Sequence, residues 1–404
     1  MKHRLIRCCL ALAAAMVWGT AHACPEPVYA VHSSAIYLED AREDEAFYNY
    51  QWALKNNGQL RLLDKDSGRV LEMGSGVIYG DKSARAADVL KVTEALPGVD
   101  IHAEEAWKLY EAAAEKKQVT VALIDTGVDV THQELAEGLW VNADEIPGDG
   151  VDNDRNGYVD DIHGWNFISH NHLLCRGAED DHGTHAAGTL NAAWDGKGVT
   201  GINDSHYVKI MVLKALGADG KGDSSTVIEA IRYAQANGAQ ICNLSFGSET
   251  YDRQLEQVIR QSPMLFIISA GNGDAGGNGL NIDQFPVYPA AYTSENIISV
   301  ANLLFDGNLH DSSNFGVQSV DLAAPGSYIL STAAEHRFGY MTGTSMAAPM
   351  VTAAAAMLAS YHGDWGIAEI REAILSSVQP MESLYGKLAT GGILDMGKAM
   401  LYQP

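Results

Sequence analysis

From residue 119 onward, continuous apolar runs alternate with stretches of helical periodicity. The apolar, β-branched runs predict buried strands at 119–124, 207–213, 240–244 and 265–269. The periodic stretches predict helices at 182–194, 226–237, 251–261 and 344–361. Two further runs, 297–300 and 320–323, continue the strands, and 366–377 predicts a surface helix. This alternation predicts an α/β fold, a mainly parallel central sheet with helices on both faces that binds ligands at the carboxyl ends of its strands.

The first 23 residues have the pattern of a signal peptide. Lys2, Arg4 and Arg7 precede an apolar stretch at 8–18, and Ala21-His22-Ala23 is a small-residue cleavage pattern. The apolar stretch is too short for a stable membrane-spanning helix. The sequence therefore predicts a secreted or periplasmic protein whose mature chain starts at Cys24, and the residues before Cys24 fit a lipid-attachment signal poorly.

The chain divides into three predicted parts. The signal peptide at 1–23 is followed by an N-terminal extension at 24–100 and by a larger α/β domain at 101–404. Within the extension, 60–100 has hairpin character around Asp66-Ser67-Gly68. A helix is predicted at 103–114, immediately before the first buried strand.

Composition narrows the class of protein. Of the 404 residues, 47 % are hydrophobic and 19 % are charged, which is typical of a globular chain. The formal net charge of −24 argues against a nucleic-acid partner, since phosphate binding needs a basic face. The five cysteines do not form a disulfide framework. A pairing of Cys24 with Cys175 stays open, and Cys242 is predicted to be a buried thiol.

Ser345 stands where a small-residue loop runs into a helix, in Gly343-Thr344-Ser345-Met346-Ala347-Ala348-Pro349. A serine in this position is most often a helix cap. Here Gly343 permits close approach of another chain, and Pro349 falls in the first turn, where its missing N–H costs least. The rigid, positive end of such a helix also suits a nucleophilic oxygen and the oxyanion that it creates.

A base and an orienting carboxylate precede Ser345 in the chain. Asp125 ends the buried strand at 119–124, and His182 begins a small-residue helix in Asp181-His182-Gly183-Thr184-His185. Taken singly, Asp125 is a turn residue and His182 a helix cap. Taken together, the three supply a nucleophile, a general base and an orienter of the imidazole. His185 lacks the spacing of a zinc-binding H-E-x-x-H motif.

These segments resemble the D-[ST]-G, H-G-T-H and G-T-S-M-A-x-P signatures of the subtilisin-like serine peptidases, in the same chain order. The resemblance covers about residues 51–401, with an entry segment that begins at Gln51, and is interrupted by 60–100. The extension at 24–100 then holds either a reduced propeptide followed by an insertion at 60–100, or a propeptide that 60–100 replaces in part.

The resemblance implies a three-layer α/β/α fold and a catalytic Asp125, His182 and Ser345. It also implies that His185 packs inside its helix. It also makes Asn272, in Ser269-Ala270-Gly271-Asn272-Gly273, the side-chain donor to the oxyanion; an asparagine in a glycine-rich turn is the plainer interpretation.

The resemblance further implies a protein or peptide substrate, bound as an extended strand by backbone hydrogen bonds. The residues expected to line this cleft are Gly220, Lys221, Gly222, Ser245, Phe246, Gly247, Ala270, Gly271 and Gly273. Tyr288-Pro289 resembles a family turn near the cleft, and the peptide bond between these two residues is a candidate for the cis form.

An acidic loop at 149–161 has the spacing of a calcium site. Oxygen-bearing side chains recur at every second position, and a glycine supplies the turn. The predicted Ca²⁺ ligands are Asp152, Asp154, Asn156, the Tyr158 carbonyl, and Asp160 or Asp161. The alternative is a solvated acidic turn.

The sequence thus predicts a secreted, monomeric, calcium-binding serine endopeptidase. Two alternatives stay open. One is a processing peptidase of narrow specificity, since Lys221 and the segment 60–100 could restrict the cleft. The other is a catalytically inactive fold that serves as a calcium-dependent binding module.

Overall fold

The structure is a computed structural model that describes residues 28–30, 36–38, 46–58, 61–63, 70–72, 76–79 and 91–404. The predicted signal peptide and Cys24 lie outside these described residues, as does the turn at Asp66-Ser67-Gly68.

The described strands are, in chain order, β1 Val28–Ala30, β2 Ile36–Tyr37, β3 Arg61–Leu63, β4 Val70–Glu72, β5 Gly76–Tyr79, β6 Lys91–Glu94, β7 Val119–Asp125, β8 Gly164–Asn166, β9 Val208–Lys214, β10 Lys221–Asp223, β11 Ile241–Leu244, β12 Leu265–Ser269, β13 Ile297–Leu303, β14 Leu322–Pro325, β15 Ile329–Ala333, β16 Arg337–Met341, β17 Gln379–Pro380 and β18 Gly392–Ile393. The α-helices are α1 Ala103–Ala112, α2 Asp181–Asn191, α3 Ser224–Ala236, α4 Arg253–Gln261, α5 Thr344–Tyr361, α6 Ile367–Ser376 and α7 Met396–Met400.

The central sheet contains nine of the described strands, in the spatial order β17-β18-β14-β13-β12-β11-β7-β9-β8. Every neighbouring pair is parallel except β17 with β18. Parallel strands need a crossover connection, which the helices between them supply. Strand β7 lies between β11 and β9, so its carboxyl end is flanked by a parallel neighbour on each side.

Alternate side chains of one strand enter two different hydrophobic cores. Val121 and Leu123 of β7 pack into a core that also contains residues of α2 and α5. Ala122 and Ile124 point to the opposite face, into a core that includes residues of α3 and α4. Burial on both faces explains why the strands are continuous apolar runs. The sheet therefore forms the middle layer of the predicted three-layer α/β/α fold.

Helix α5 is buried almost throughout its length, which its alanine-rich sequence allows. Alanine has a short side chain and glycine has none, so neighbouring backbones can approach these residues closely. On α2, a Cβ added at Gly183 would meet the carbonyl oxygen of Gly127 at 2.1 Å, so a larger residue there would push α2 away from the turn after β7. Small residues thus hold both helices against the sheet.

Helix boundaries follow their caps more closely than their hydrophobic pattern. The predicted helix 251–261 begins at Arg253, because the Asp252 side chain accepts hydrogen bonds from the N–H groups of Gln254 and Leu255. Helix α3 begins at Ser224 rather than at Thr226, with Asp223 as its cap. The predicted helix 182–194 ends at Asn191, where the following residue is extended.

The segment 46–58 packs directly against the α/β body. Trp52 is 4 % exposed, and its indole N–H donates to the carbonyl oxygen of Ser327 at 2.9 Å. The segment between 60 and 100 contains two antiparallel pairs, β3 with β4 and β5 with β6. The first pair flanks the predicted turn and agrees with the hairpin character of the sequence.

The two cysteines in the described part of the chain are free thiols. Cys242 is a fully buried free thiol, as predicted, and Cys175 is also free among the described residues. None of the helices in the described part of the chain combines the length and apolar character needed to cross a membrane.

Candidate active site

Asp125 and His182 are in direct contact at the carboxyl end of β7. Asp125 is the last residue of β7, His182 lies in the first turn of α2, and Nδ1 of His182 is 2.7 Å from Oδ1 of Asp125. A carboxylate only accepts hydrogen bonds, so Nδ1 carries the proton and Nε2 keeps a lone pair. Nε2 is buried and has no hydrogen-bond partner among the described residues. This is the tautomer that a general base needs.

Ser345 lies in the first turn of α5 and is 3 % exposed. Its hydroxyl donates to the carbonyl oxygen of Ser245 at 2.9 Å, and the Ser245 hydroxyl donates to the carbonyl oxygen of Ser345 at 3.1 Å. These reciprocal bonds fix the start of α5 to the end of β11. The structure thus joins Asp125 to His182 directly and holds the Ser345 hydroxyl on Ser245.

The amide of Asn272 is oriented by the residue before the serine. Its Oδ1 accepts from the backbone N–H of Thr344 at 2.8 Å and from the Thr344 hydroxyl at 3.0 Å. Because the carbonyl end of the side chain is engaged in this way, the NH₂ end is free to donate elsewhere. A cavity with about 510 Å³ of empty volume contains both Asn272 and Ser345 in its lining.

The cavity contains some of the residues that the sequence predicted to line the substrate cleft. Gly271 and Gly273 line it, whereas Ala270 is fully buried and is not part of the lining. Val287 and Asn314 also line the cavity, although no motif in the sequence indicated them. They come from segments that reach the site only through the fold.

The predicted cleft residues 220–222 and 245–247 lie on either side of a strand from the chain's own N-terminal region. Strand β1 pairs antiparallel with β10, so that Tyr29 lies opposite Gly222 and Ala30 opposite Lys221. On its other side, Ala30 forms an antiparallel bridge with Gly247. The N–H of Ala30 donates to the Gly247 carbonyl oxygen at 3.1 Å, and the N–H of Gly247 donates back at 3.4 Å. Gly220 forms the turn before β10 with a φ of +70°.

A second piece of the same region reaches the histidine side of the site. Strand β2 pairs with β16, with Tyr37 opposite Gly339. The Tyr37 hydroxyl donates to the carboxylate of Asp181, the residue before His182. Burial raises the pKa of Asp181, and the hydrogen bond from Tyr37 acts in the opposite direction.

His185 is buried inside α2, as the sequence predicted. Its Nε2 is 2.8 Å from the carbonyl oxygen of Ile329 and therefore donates to it. Burial lowers the pKa of His185 to about 4. A neutral, hydrogen-bonded histidine in this place stabilises the packing of α2 against β15.

The acidic loop gathers three carboxylates. Oxygen atoms of Glu145, Asp152 and Asp154 all lie within 4.8 Å of one another. Glu145 was not predicted, because it comes from a different turn than the D-x-D-x-N pattern. The backbone N–H of Asn156 donates to Asp152 and to Asp154, both at 3.0 Å, which folds the loop around these side chains.

Asp160 and Asp161 are engaged elsewhere in the loop. The Asp160 carboxylate accepts from the N–H groups of Gly148 and Gly150 and so closes the preceding turn. Asp161 is fully buried and accepts from the side chains of Asn142, Asn156 and Tyr233. The ring of Tyr158 packs edge-to-face on Tyr233, with centroids 4.9 Å apart. Glu145 joins Asp152 and Asp154 in the carboxylate cluster, and Asp160 and Asp161 are not part of that cluster.

Comparisons with known proteins show which family the chain resembles. The model of the Subtilase family matches residues 116–393, which include Asp125, His182, Asn272 and Ser345. The chain is 30 % identical over 302 residues to Subtilisin-like protease 1 of Plasmodium falciparum (isolate 3D7), covering 69 % of this chain and 43 % of that protein. It is 31 % identical over 278 residues to the Major intracellular serine protease of Bacillus subtilis (strain 168), covering 68 % and 77 %.

A longer match extends over most of the chain. The Alkaline protease of Shouchella clausii is 27 % identical over 375 residues, which is 87 % of this chain and 88 % of the relative. The aligned region spans less than half the length of the Plasmodium relatives.

Proposed function

Since the chain belongs to the subtilase family, we propose that it is a serine endopeptidase that hydrolyses peptide bonds through an acyl-enzyme. The observation that carries the proposal is the 2.7 Å contact between Asp125 and His182, which leaves Nε2 as an acceptor. All three proposed catalytic residues lie at the ends of buried elements, where their positions are rigid.

In the proposed mechanism Ser345 is the nucleophile. Its hydroxyl exchanges the bond to Ser245 for one to Nε2 of His182, and Oγ attacks the carbonyl carbon while the proton moves to Nε2. His182 then gives this proton to the leaving amine as the peptide C–N bond breaks. Water, deprotonated by the same nitrogen, attacks the acyl carbon. His182 returns this proton to Oγ of Ser345 as the ester bond breaks and the acid product leaves. Asp125 holds the imidazole tautomer and stabilises the imidazolium.

The developing oxyanion is held by two donors in this proposal. One is the NH₂ group of Asn272, whose orientation is set by the bonds from Thr344 to its carbonyl end. The other is the backbone N–H of Ser345, at the positive end of α5. Both donors belong to residues that line one cavity.

We propose that the substrate binds as an added strand between β10 and Ser245–Gly247. The support is that β1 occupies this position with backbone hydrogen bonds on one side and a bridge on the other. Such pairing does not depend on side chains and suits many sequences. The same occupancy means that the chain's own segment competes with substrate.

The acidic loop fits a calcium ion. Three carboxylates whose oxygens lie within 4.8 Å of one another repel each other unless a cation is present, and hard oxygen ligands suit Ca²⁺. Glu145, Asp152 and Asp154 would hold the ion, with Asn156 and the Tyr158 carbonyl from the same loop. When bound, calcium supplies structural cross-linking of the loop and no catalytic chemistry.

Location and organisation follow the sequence. We propose that the protein is exported, on the basis of the leader pattern in the first 23 residues. The division into an extension at 24–100 and a peptidase domain at 101–404 is part of the same proposal. The net charge of −24 continues to argue against a nucleic-acid partner.

Labelling with a fluorophosphonate tests the catalytic proposal. An activated serine reacts, so the wild-type chain is expected to incorporate the label at Ser345, and Ser345→Ala is expected to incorporate none. The matched control is Ser376→Ala, which removes an exposed hydroxyl at the end of α6 and is expected to keep the label at Ser345. Absence of labelling and of peptide cleavage in the wild type would favour the inactive binding module.

A further inference from the structure

Thr126 is hydrogen-bonded both to Asp125 and to the helix that carries His182. Its backbone N–H donates to Oδ1 of Asp125 at 2.7 Å, and its hydroxyl oxygen accepts from the N–H of Gly183 at 3.2 Å. Oδ1 of Asp125 is the same oxygen that lies 2.7 Å from Nδ1 of His182. The second oxygen of this carboxylate, Oδ2, is buried and has no hydrogen-bond partner among the described residues. The position of Thr126 therefore helps to fix the rotation of the Asp125 carboxylate.

The carbonyl oxygen of Thr126 is held by a side chain from the neighbouring strand. Lys214 lies opposite Asp125 in the register of β7 and β9. Its ammonium donates to the carbonyl oxygen of Thr126 and to the carboxylate of Asp180. Thr126 is buried, so its carbonyl oxygen needs a donor from the protein. Lys214 is that donor.

The same ammonium is connected to the start of α2 through Asp180, the residue directly before this helix. The Asp180 carboxylate also accepts from the N–H of Arg176 at 2.6 Å, and its carbonyl oxygen accepts from the hydroxyl of Thr184 at 2.8 Å. A Cβ added at Gly127 would lie 2.7 Å from Oδ1 of Asp180, so the turn after β7 and Asp180 are packed closely together. One ammonium therefore reaches both the turn after Asp125 and the residue before α2.

Packing alone does not explain a lysine at position 214. The other buried residues of β9 are apolar. A buried ion pair has a desolvation cost that its attraction only partly offsets, and apolar residues of similar volume are often at least as stable in such a place. What an apolar side chain could not do is donate to the carbonyl oxygen of Thr126.

We propose that Lys214 is a positioning residue for catalysis, which orients the Asp125 carboxylate toward His182 through Thr126 and fixes the start of α2 through Asp180. This inference rests on the proposed peptidase function. When a proton moves to Nε2 of His182, the resulting imidazolium is stabilised by the carboxylate that accepts from Nδ1. A carboxylate that rotates away gives less of this stabilisation in the transition state. Loss of the lysine is therefore expected to lower kcat and to leave KM unchanged.

The test variant combines Lys214→Met with Asp180→Asn, so that no buried charge is left without its counter-ion. One positive and one negative charge are removed together, and the net charge of the protein stays the same. The kcat for a fluorogenic peptide is expected to fall by about tenfold to a hundredfold, the effect of moving a catalytic group by about 1 Å. KM is expected to be kept, because the proposed substrate contacts lie on β10 and at 245–247 rather than on this turn.

A conservative variant separates the lysine from its partner. Asp180→Asn alone keeps Lys214, and the amide oxygen can still accept from the ammonium, so kcat is expected to fall by no more than about threefold. Lys214→Gln in the Asp180→Asn background is the second test, because its shorter side chain keeps a polar end that does not reach Thr126. It is expected to lose kcat as the combined variant does. The matched control is Lys209→Met on the same strand, which is expected to keep both kcat and KM.

The pH profile of kcat/KM is a readout that a loss of stability alone does not move. An imidazolium that Asp125 holds less well gives up its proton more easily. The acid side of the profile is therefore expected to shift to lower pH in the combined variant and to stay in place for Asp180→Asn and Lys209→Met. Circular dichroism at the assay temperature checks that each variant is folded.

The outcomes separate this inference from the proposed function. Wild-type kcat and an unmoved pH profile in a folded combined variant overturn the inference and leave the peptidase intact. A loss of kcat that Asp180→Asn alone reproduces, or that leaves the acid side of the profile in place, overturns the role of Lys214. Absence of cleavage together with absence of fluorophosphonate labelling in the wild type overturns the proposed function itself.

Discussion

Lys214 and Asp180 form an ion pair inside the protein, with their side chains 2 % and 0 % exposed. The Lys214 ammonium also donates to the carbonyl oxygen of Thr126, the residue after Asp125. Asp180 directly precedes α2, the helix of His182. The pair therefore connects the turn after Asp125 to the helix that carries His182.

Removing the lysine of this pair is expected to destabilise the fold strongly. Lys214→Met leaves a buried carboxylate without its counter-ion, which costs about 3–5 kcal/mol of unfolding free energy. Lys214→Met with Asp180→Asn removes both charges and is expected to recover part of this loss. Urea unfolding measures both variants. Lys209→Met is the matched control on the same strand, because Lys209 is partly exposed and its ammonium donates to the Glu137 carbonyl oxygen.

The pH dependence of the Lys214→Met variant gives a second test. Burial raises the pKa of Asp180, and Lys214 opposes this rise. Without the lysine the pKa rises further, so the folded variant binds a proton more readily than the unfolded chain. Its stability deficit is then expected to shrink as the pH falls, and a deficit independent of pH would contradict the charge argument.

His185 is expected to make stability depend on pH in the opposite way. Its pKa in the folded protein is lowered to about 4 from 6.5, so the unfolded chain binds the proton first as the pH falls. The contribution is fully present above pH 6.5 and is lost between 6.5 and 4, by about 3 kcal/mol. His185→Gln is expected to flatten this part of the curve of unfolding free energy against pH. His206→Gln, at an exposed histidine, is the control, and equal slopes for both variants would argue against the assignment.

Calcium is expected to stabilise the protein through the acidic loop. A ligand present at a hundred times its dissociation constant adds about 2.7 kcal/mol to the unfolding free energy, so chelation should lower the melting temperature. Glu145→Gln and Asp154→Asn are each expected to abolish this calcium-dependent shift in a thermal melt. Asp144→Asn changes an exposed carboxylate next to Glu145 and should keep the shift. A melting temperature that calcium leaves unchanged in the wild type contradicts the site.

The sequence predicts those site residues that lie in a distinctive local motif. Asp125 and His182 follow or begin apolar elements with distinctive neighbours, so their contact could be anticipated from chain order. Glu145 could not, because it reaches Asp152 and Asp154 from a turn whose sequence contains no ligand spacing. The same holds for pairings between distant segments, such as Tyr29 with Gly222, since the register of an edge strand is set by the folded sheet.

The last prediction concerns the chain's own strand in the cleft. Because β1 occupies the position proposed for substrate, the full chain is expected to cleave peptides slowly until β1 is displaced. Tyr29 is fully buried close to Asp252, so Tyr29→Asp places a second negative charge in a buried site. It should therefore expel the strand and raise the initial rate of cleavage by about tenfold or more. Val28→Asp adds the same charge on the exposed side of β1 and should change the rate little. Equal initial rates for the wild type and Tyr29→Asp, with both chains fully labelled by a fluorophosphonate, would show that β1 does not hinder the substrate.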